Sequence, residues 1–375
     1  MDVIKLLADL IRIDTRNPPG YTTEAVEYLK RLFASFNTKV VGKEGKENLI
    51  VEISRGKPEF LFTSHLDTVP CEDELLNPVV RDGKIYGRGS CDAKGCVASI
   101  VSAFYEFECD VGVKLAFTSD EEVGGKLGLG EVMKHISPDY VIIGEPFGSE
   151  RIGVAQAHVV TAKIIVLGES GHTATADVRK GAIYRASKFV IDTVRKFSKI
   201  DGKSDYLRKL EELGFETEYR GNGSAVFNPS IIRGGVKRNV VPDRCEIEAD
   251  IRIAPWISPE SLKELFDYDY VEVNVTGYLR AFGFSLDAVD ERRDLELLNM
   301  IKRAIEMEGG KPKAVVSLGV GDARHVRCRG IPAFYLGPRG ENLHGRNEFV
   351  YIDDIFRVSK IYRNIVTVGN RHAYI

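Results

Sequence analysis

The chain has 375 residues, with 52 basic against 55 acidic side chains, a formal net charge of −3, 43% apolar and 29% charged residues. That ordinary globular composition, with charges of both signs mixed along the chain, excludes nucleic acid as the expected partner, and no run approaches the roughly 20 apolar residues of a membrane helix. The length exceeds one typical core, so two domains are expected.

Met1-Asp2-Val3-Ile4-Lys5 opens an amphipathic helix, without the basic start and apolar core of a signal peptide. Six cysteines at 71, 91, 96, 109, 245 and 328 form no CxxC pair, so neither a zinc knuckle nor a disulfide framework is expected. The expected compartment is the cytoplasm. Strands are predicted at 48–53, 60–64, 113–119 and 140–144, alternating with helices near 23–36, 93–108 and 126–135. This alternation reads as α/β with a largely parallel sheet.

From about 157 the pattern changes. A strand at 159–167 precedes a helix at 181–197, with Ile183, Ala186, Val190, Val194 and Phe197 on one face. A charged, loop-rich stretch runs to Gly223, followed by strands at 226–233 and 245–253. Pro259 then starts a helix, and Val271, Val273 and Val275 mark a last strand. The order β-α-β-β-α-β is ferredoxin-like. The α/β pattern resumes with a helix near 294–307, a strand at 333–336 and a helix at 352–368. The expectation is a discontinuous α/β domain of residues 1–156 and 281–375, with a smaller α+β domain, 157–280, inserted into it.

Three predicted strands run directly into polar clusters: His65-Leu66-Asp67, Asp120-Glu121-Glu122 and Glu145-Pro146. Ligands of open α/β sheets bind beyond the carboxyl ends of the strands, so these groups are expected in one crevice. Asp92 stands at a helix entrance, where an N-cap aspartate is also ordinary. His344 lies in a polar loop, where a histidine is usually only solvated. Two histidines and several carboxylates, with no thiolate set, suit zinc, cobalt or manganese. Two ions need a shared acidic ligand and a second histidine, and one further glutamate would remain as a base.

Ser64-His65-Leu66-Asp67-Thr68-Val69-Pro70, Gly87-Arg88-Gly89 with Asp92 and Lys94-Gly95, and Asp120-Glu121-Glu122-Val123-Gly124 together resemble the acetylornithine deacetylase / succinyl-diaminopimelate desuccinylase family of co-catalytic zinc hydrolases, kin to aminoacylases and glutamate carboxypeptidases. The resemblance covers nearly the whole chain. It implies a zinc-peptidase-type catalytic domain and an inserted dimerisation or lid domain. His65, Asp92 and Glu145 would hold one metal, and Asp92, Glu122 and His344 the other. Asp67 would hydrogen-bond the far nitrogen of His65, Glu121 would be the general base, and the peptide after Asp92 would be cis. Gly168-Glu169-Ser170-Gly171-His172-Thr173 resembles the segment whose histidine crosses a dimer interface to stabilise the oxyanion, although the proline common after it is replaced by Thr173-Ala174-Thr175-Ala176-Asp177. Asn239, Arg252 and Arg324 match positions that grip a substrate carboxylate, a role suited to the planar guanidinium fork; either arginine could instead serve in a structural ion pair. His135, His158, His325 and His372 carry no motif and read as structural.

The function so implied is removal of an acetyl or succinyl group from an amino acid by a two-metal homodimer. Zinc is the first choice of metal, with cobalt or manganese as alternatives. A dipeptidase or glutamate carboxypeptidase of the same chemistry is the rival. Glu145, where some aminopeptidase relatives carry Asp, favours deacylases and carboxypeptidases. A metal-binding protein that has lost catalysis is disfavoured, because Glu121 and all five ligand positions are kept.

Overall fold

The computed structural model describes residues 1–200 and 205–372, the side chains of 371 and 372 excepted. Contacts divide the chain into two compact units: Met1–Val154 with Gly283–Val315 and Gly321–Ile375, and Ala155–Phe282 with Val316–Val320. The short segment Val316–Val320 joins the second unit because Leu318 N–H donates to the Arg220 carbonyl at 3.0 Å and its side chain packs with Ala157 and Ala254.

The first unit is built on one sheet. Its strands lie in the order Asn37–Lys43, Lys46–Ser54, Gly112–Thr118, Glu59–His65, Tyr140–Ile143, Ala333–Tyr335, Arg151–Gln156 and Lys313–Ser317. The four strands from Gly112–Thr118 to Ala333–Tyr335 are parallel, and Lys46–Ser54 and Arg151–Gln156 run antiparallel beside them. The central strands are buried on both faces, which is why they read as unbroken apolar runs such as Phe60-Leu61-Phe62. Phe62 meets Phe104 of helix Lys94–Phe104 at 4.5 Å between ring centroids and Tyr362 of helix Ile352–His372 at 5.2 Å. Helix Lys94–Phe104 is buried nearly all round, and its Gly95, Ala98 and Ser99 supply the small side chains that such close packing requires.

Register sets the site. His65 stands opposite Thr118 across the central parallel pair, and Thr63 opposite Ile143 on the other side. The three strands therefore end at one level, and the polar clusters that follow them emerge together. The helix expected at 126–135 shrinks to Leu129–Val132, because the glycines at 124, 125 and 128 favour turns.

The second unit carries a four-stranded antiparallel sheet in the order Ala225–Gly234, Arg244–Ile253, His158–Leu167 and Val271–Leu279, the ferredoxin-like arrangement. Helix Ala182–Phe197 packs on it with a face rotated from the expected one. Ala182, Ala186, Phe189, Thr193 and Phe197 are buried, whereas Ile183 is 43% and Val194 42% exposed. Two apolar stripes compete on this helix. The one bearing Phe189 prevails, because that ring meets Phe227 at 6.1 Å and Tyr268 at 5.4 Å. The stretch expected to be loop-rich contains helix Asp205–Glu212 and strand Glu216–Arg220, whose charge hides their periodicity.

Candidate metal centre

The Glu59–His65 strand places His65 at its end, 1% exposed. Its Nδ1 donates to the carbonyl of Asp67 at 2.9 Å, which leaves Nε2 facing Asp92 Oδ1 at 3.1 Å and Glu145 Oε1 at 3.7 Å. The fixing partner is thus the Asp67 backbone; its carboxylate lies 3.6 Å from the ring. That carboxylate accepts Asn17 Nδ2 at 2.7 Å and the backbone N–H groups of Glu121 and Glu122 at 3.1 and 3.2 Å. Asp67 therefore ties the turn after the Gly112–Thr118 strand to the histidine strand.

On the other side of Asp92, Oδ2 lies 3.1 Å from His344 Nε2, and His344 lies 3.6 Å from Glu122 Oε1. Ligand atoms of His65, Asp92 and Glu145 fall within 4.8 Å of one another, as do those of Asp92, Glu122 and His344. Asp92 belongs to both triads. The Asp92–Ala93 peptide is cis.

Electrostatics test whether cations fit. Glu122 Oε1 and Glu145 Oε1 are buried without a hydrogen-bond partner. Burial pushes the carboxyls of Glu121 and Glu145 well above the usual range, and neighbouring acids add to it against the pull of His65. Burial likewise raises Asp322, to about 7. Burial opposes ionisation of Asp92 too, yet hydrogen bonds from His344 and His65 hold that carboxyl low. The hydrogen bond to Asp92 and the nearby carboxylate of Glu122 push His344 up to about 10. Carboxylate oxygens without protons to accept, gathered around imidazole nitrogens, are a donor set that two divalent cations would satisfy. Cys91 and Cys96 are buried and burial raises both thiols, so they offer no thiolate to the site.

The groups that support the triads lie outside the predicted site residues. Glu348 accepts the backbone N–H groups of Cys91 and Asp92 at 3.0 and 3.1 Å and pairs with Arg88, which donates to the His344 carbonyl at 2.9 Å. Arg88 stands inside the Gly87-Arg88-Gly89 match, but nothing in the sequence marks Glu348 or Asn17. Arg324 is half-buried, and its Nη2 donates to the Gly124 carbonyl at 2.7 Å, beside the acidic turn. His325 binds the same carbonyl at 2.9 Å, His135 meets Glu131 at 3.3 Å and His158 meets Tyr278 at 2.9 Å, all structural partners. The side chain of His372 lies outside the described residues.

The remaining candidates lie in the second unit. His172 and Asn239 come together, since His172 pairs with Val240 and Thr173 N–H donates to the Asn239 carbonyl at 3.3 Å. His172 is exposed, and its Nδ1 accepts the Ala174 N–H at 3.2 Å. A neutral ring so held carries its proton on Nε2 and can donate from there. Arg252 is engaged by Asp250 on its own strand at 2.6 Å.

A curated succinyl-diaminopimelate desuccinylase from Hydrogenovibrio crunogenus is 26% identical over 392 residues, covering 97% of both chains. Among solved structures, a tripeptidase from Staphylococcus aureus superposes with a TM-score of 0.76 at 19% identity over 98% of both chains. A dinuclear metal binding peptidase from Bacillus subtilis does so with 0.64 at 15% identity, over 98% of this chain and 97% of that one. The profile of peptidase family M20/M25/M40 matches residues 61–368, from the histidine strand to the last helix, and the chain belongs to that family of metallohydrolases.

Proposed function

We propose that this chain is a two-metal amidohydrolase that removes an acetyl or succinyl group from the nitrogen of an amino acid such as ornithine, lysine or diaminopimelate. The observation that carries this reading is the placement of Asp92, whose two carboxylate oxygens each face a different histidine at 3.1 Å. His65, Asp92 and Glu145 would hold one ion and Asp92, Glu122 and His344 the other, zinc first, with cobalt or manganese as alternatives. Two ions held there would supply Lewis-acid polarisation of the amide carbonyl and a lowered pKa for the attacking water.

Glu121 is the base. Its carboxyl, which burial holds well above the usual carboxylate range, takes the proton of the attacking water and hands it to the leaving amine. His172 from a second copy of the chain would donate its Nε2–H to the oxyanion. Arg324 has nitrogens beyond Nη2 for a substrate carboxylate, and Asn239 lies beside His172; Arg252 would have to exchange Asp250 for substrate. A homodimer through the second unit is supported by the unused apolar stripe Ile183, Ile191 and Val194 and by the edge strand Ala225–Gly234, where Ile232 is 53% exposed. Among the described residues no helix is long and apolar enough to cross a membrane. All six cysteines are free, which fits a reducing cytoplasm.

The test is free-amine release from N-acetyl and N-succinyl amino acids and from dipeptides, with zinc or cobalt added. Release confined to the acyl amino acids is expected. Release mainly from dipeptides would make the protein a peptidase with the same site. Full turnover after chelation would overturn the mechanism.

A further inference from the structure

Two carboxylates that belong to neither metal triad flank the Glu121-Glu122 turn. Asp67 accepts both backbone N–H groups of the turn. Asp120, in the left-handed region at φ 73°, begins it; its carbonyl accepts Gly125 N–H at 2.6 Å and its carboxylate Leu127 N–H at 3.0 Å. Both side chains are buried, and ionised carboxylates held out of water must be compensated.

The compensating charge comes from the neighbouring hairpin. Lys46 opens the Lys46–Ser54 strand and is only 9% exposed. Its ammonium lies 3.6 Å from Asp120 Oδ1 and donates to Asn17 Oδ1 at 3.1 Å. Asn17, itself buried, passes the polarisation on, because its amide donates to Asp67 Oδ2 at 2.7 Å. Gly20 makes the meeting possible: a Cβ there would sit 2.0 Å from Asn17 Oδ1 and 2.7 Å from Lys46 Nζ.

We infer that Lys46 is a positioning residue for the Glu121-Glu122 turn, acting directly on Asp120 and through Asn17 on Asp67. The role rests on the proposed two-metal hydrolysis, since Glu121 is the base and Glu122 a ligand of one ion. With the ammonium gone, two buried carboxylates on either side of the turn lose their shared cation, and the turn relaxes away from the geometry that presents both glutamates.

The test uses two variants of the full chain. Lys46→Met keeps most of the stem and removes the charge; Asn17→Leu keeps the branched shape and breaks the relay. Each is titrated with cobalt(II), followed by its visible absorption, and assayed on the best substrate of the acyl amino acid and dipeptide panel. Each variant is expected to lower kcat about tenfold with KM changed less than about twofold, and to weaken binding of one of the two cobalt ions about tenfold. The double variant should lose less than the product of the two single losses. Folded variants with wild-type kcat and wild-type cobalt affinity would overturn the role, with the two-metal reading intact. If Lys46→Met does not fold, Asn17→Leu decides; loss of the fold in both makes the network merely structural and overturns positioning. A wild-type chain that binds fewer than two cobalt ions, or hydrolyses nothing in the panel, overturns the underlying reaction and this role with it.

Discussion

Glu348 accepts the backbone N–H of Asp92 at 3.1 Å, although 256 positions separate the two in sequence. Through Arg88 the same carboxylate is linked to the carbonyl of His344, so one buried ion pair sets both the shared acid and the histidine of one triad. Glu348→Gln leaves the Arg88 guanidinium buried and unpaired. The expected loss is about 3–5 kcal/mol in chemical denaturation, with metal affinity down about 10–100-fold. Calorimetric titration of the folded variant checks the second part.

Glu121→Gln separates chemistry from metal binding. The amide keeps the size of the side chain but cannot take a proton. Turnover should fall by about 10²–10⁴-fold, while the metal content measured by elemental analysis stays at the wild-type level. Loss of metal together with activity would make Glu121 a ligand instead of the base.

Protonation of the metal-free protein has a definite sign. Burial raises Glu121, Glu145 and Asp322, the last to about 7, and the hydrogen bond to Asp92 with the nearby Glu122 carboxylate raises His344 to about 10. At these groups the folded state holds more protons than the unfolded chain from the ordinary carboxylate range up to about pH 10, so they withdraw stability as pH rises through that window, while Lys94, which burial lowers to about 8, opposes them above that value. His344 contributes in full below its unfolded value near 6.5 and loses that contribution as pH passes about 10. The melting temperature of chelated protein should therefore drop between pH 6 and 9. Added zinc or cobalt should restore more of it at the higher pH, because the ions replace those protons.

His172 can be tested across subunits. His172→Ala is expected to lower kcat by about 10²–10³-fold, as removal of an oxyanion donor does. Mixed with Glu121→Gln under conditions that exchange subunits, it should regain activity, because a hybrid dimer holds one site with both groups intact. No recovery in hybrids would place His172 with its own chain's site or outside catalysis. Ile232→Lys on the exposed edge strand should shift sedimentation toward monomer and take activity with it.

Local sequence carried much of this molecule. The runs ending in Ser64, Ser119 and Gly144 announced strands because burial on both faces demands unbroken apolar residues, and the polar residues after them announced the crevice. The residues of the two triads were named by the family resemblance that the three motifs carry, and the fold brings their side chains together. The ferredoxin-like order was legible from periodicity, which needs only neighbouring residues.

Tertiary structure alone decided the rest. Which stripe of helix Ala182–Phe197 turns inward depended on the partner sheet, where Phe227 and Tyr268 receive Phe189. His65 Nδ1–H, expected to donate to the Asp67 carboxylate, donates instead to the Asp67 backbone carbonyl, because the carboxylate accepts Asn17 and two N–H groups of the acidic turn. Asn17, Lys46 and Glu348 are ordinary polar residues in the sequence. Their roles arise only where folding brings distant segments together and removes the water that would otherwise satisfy each of them.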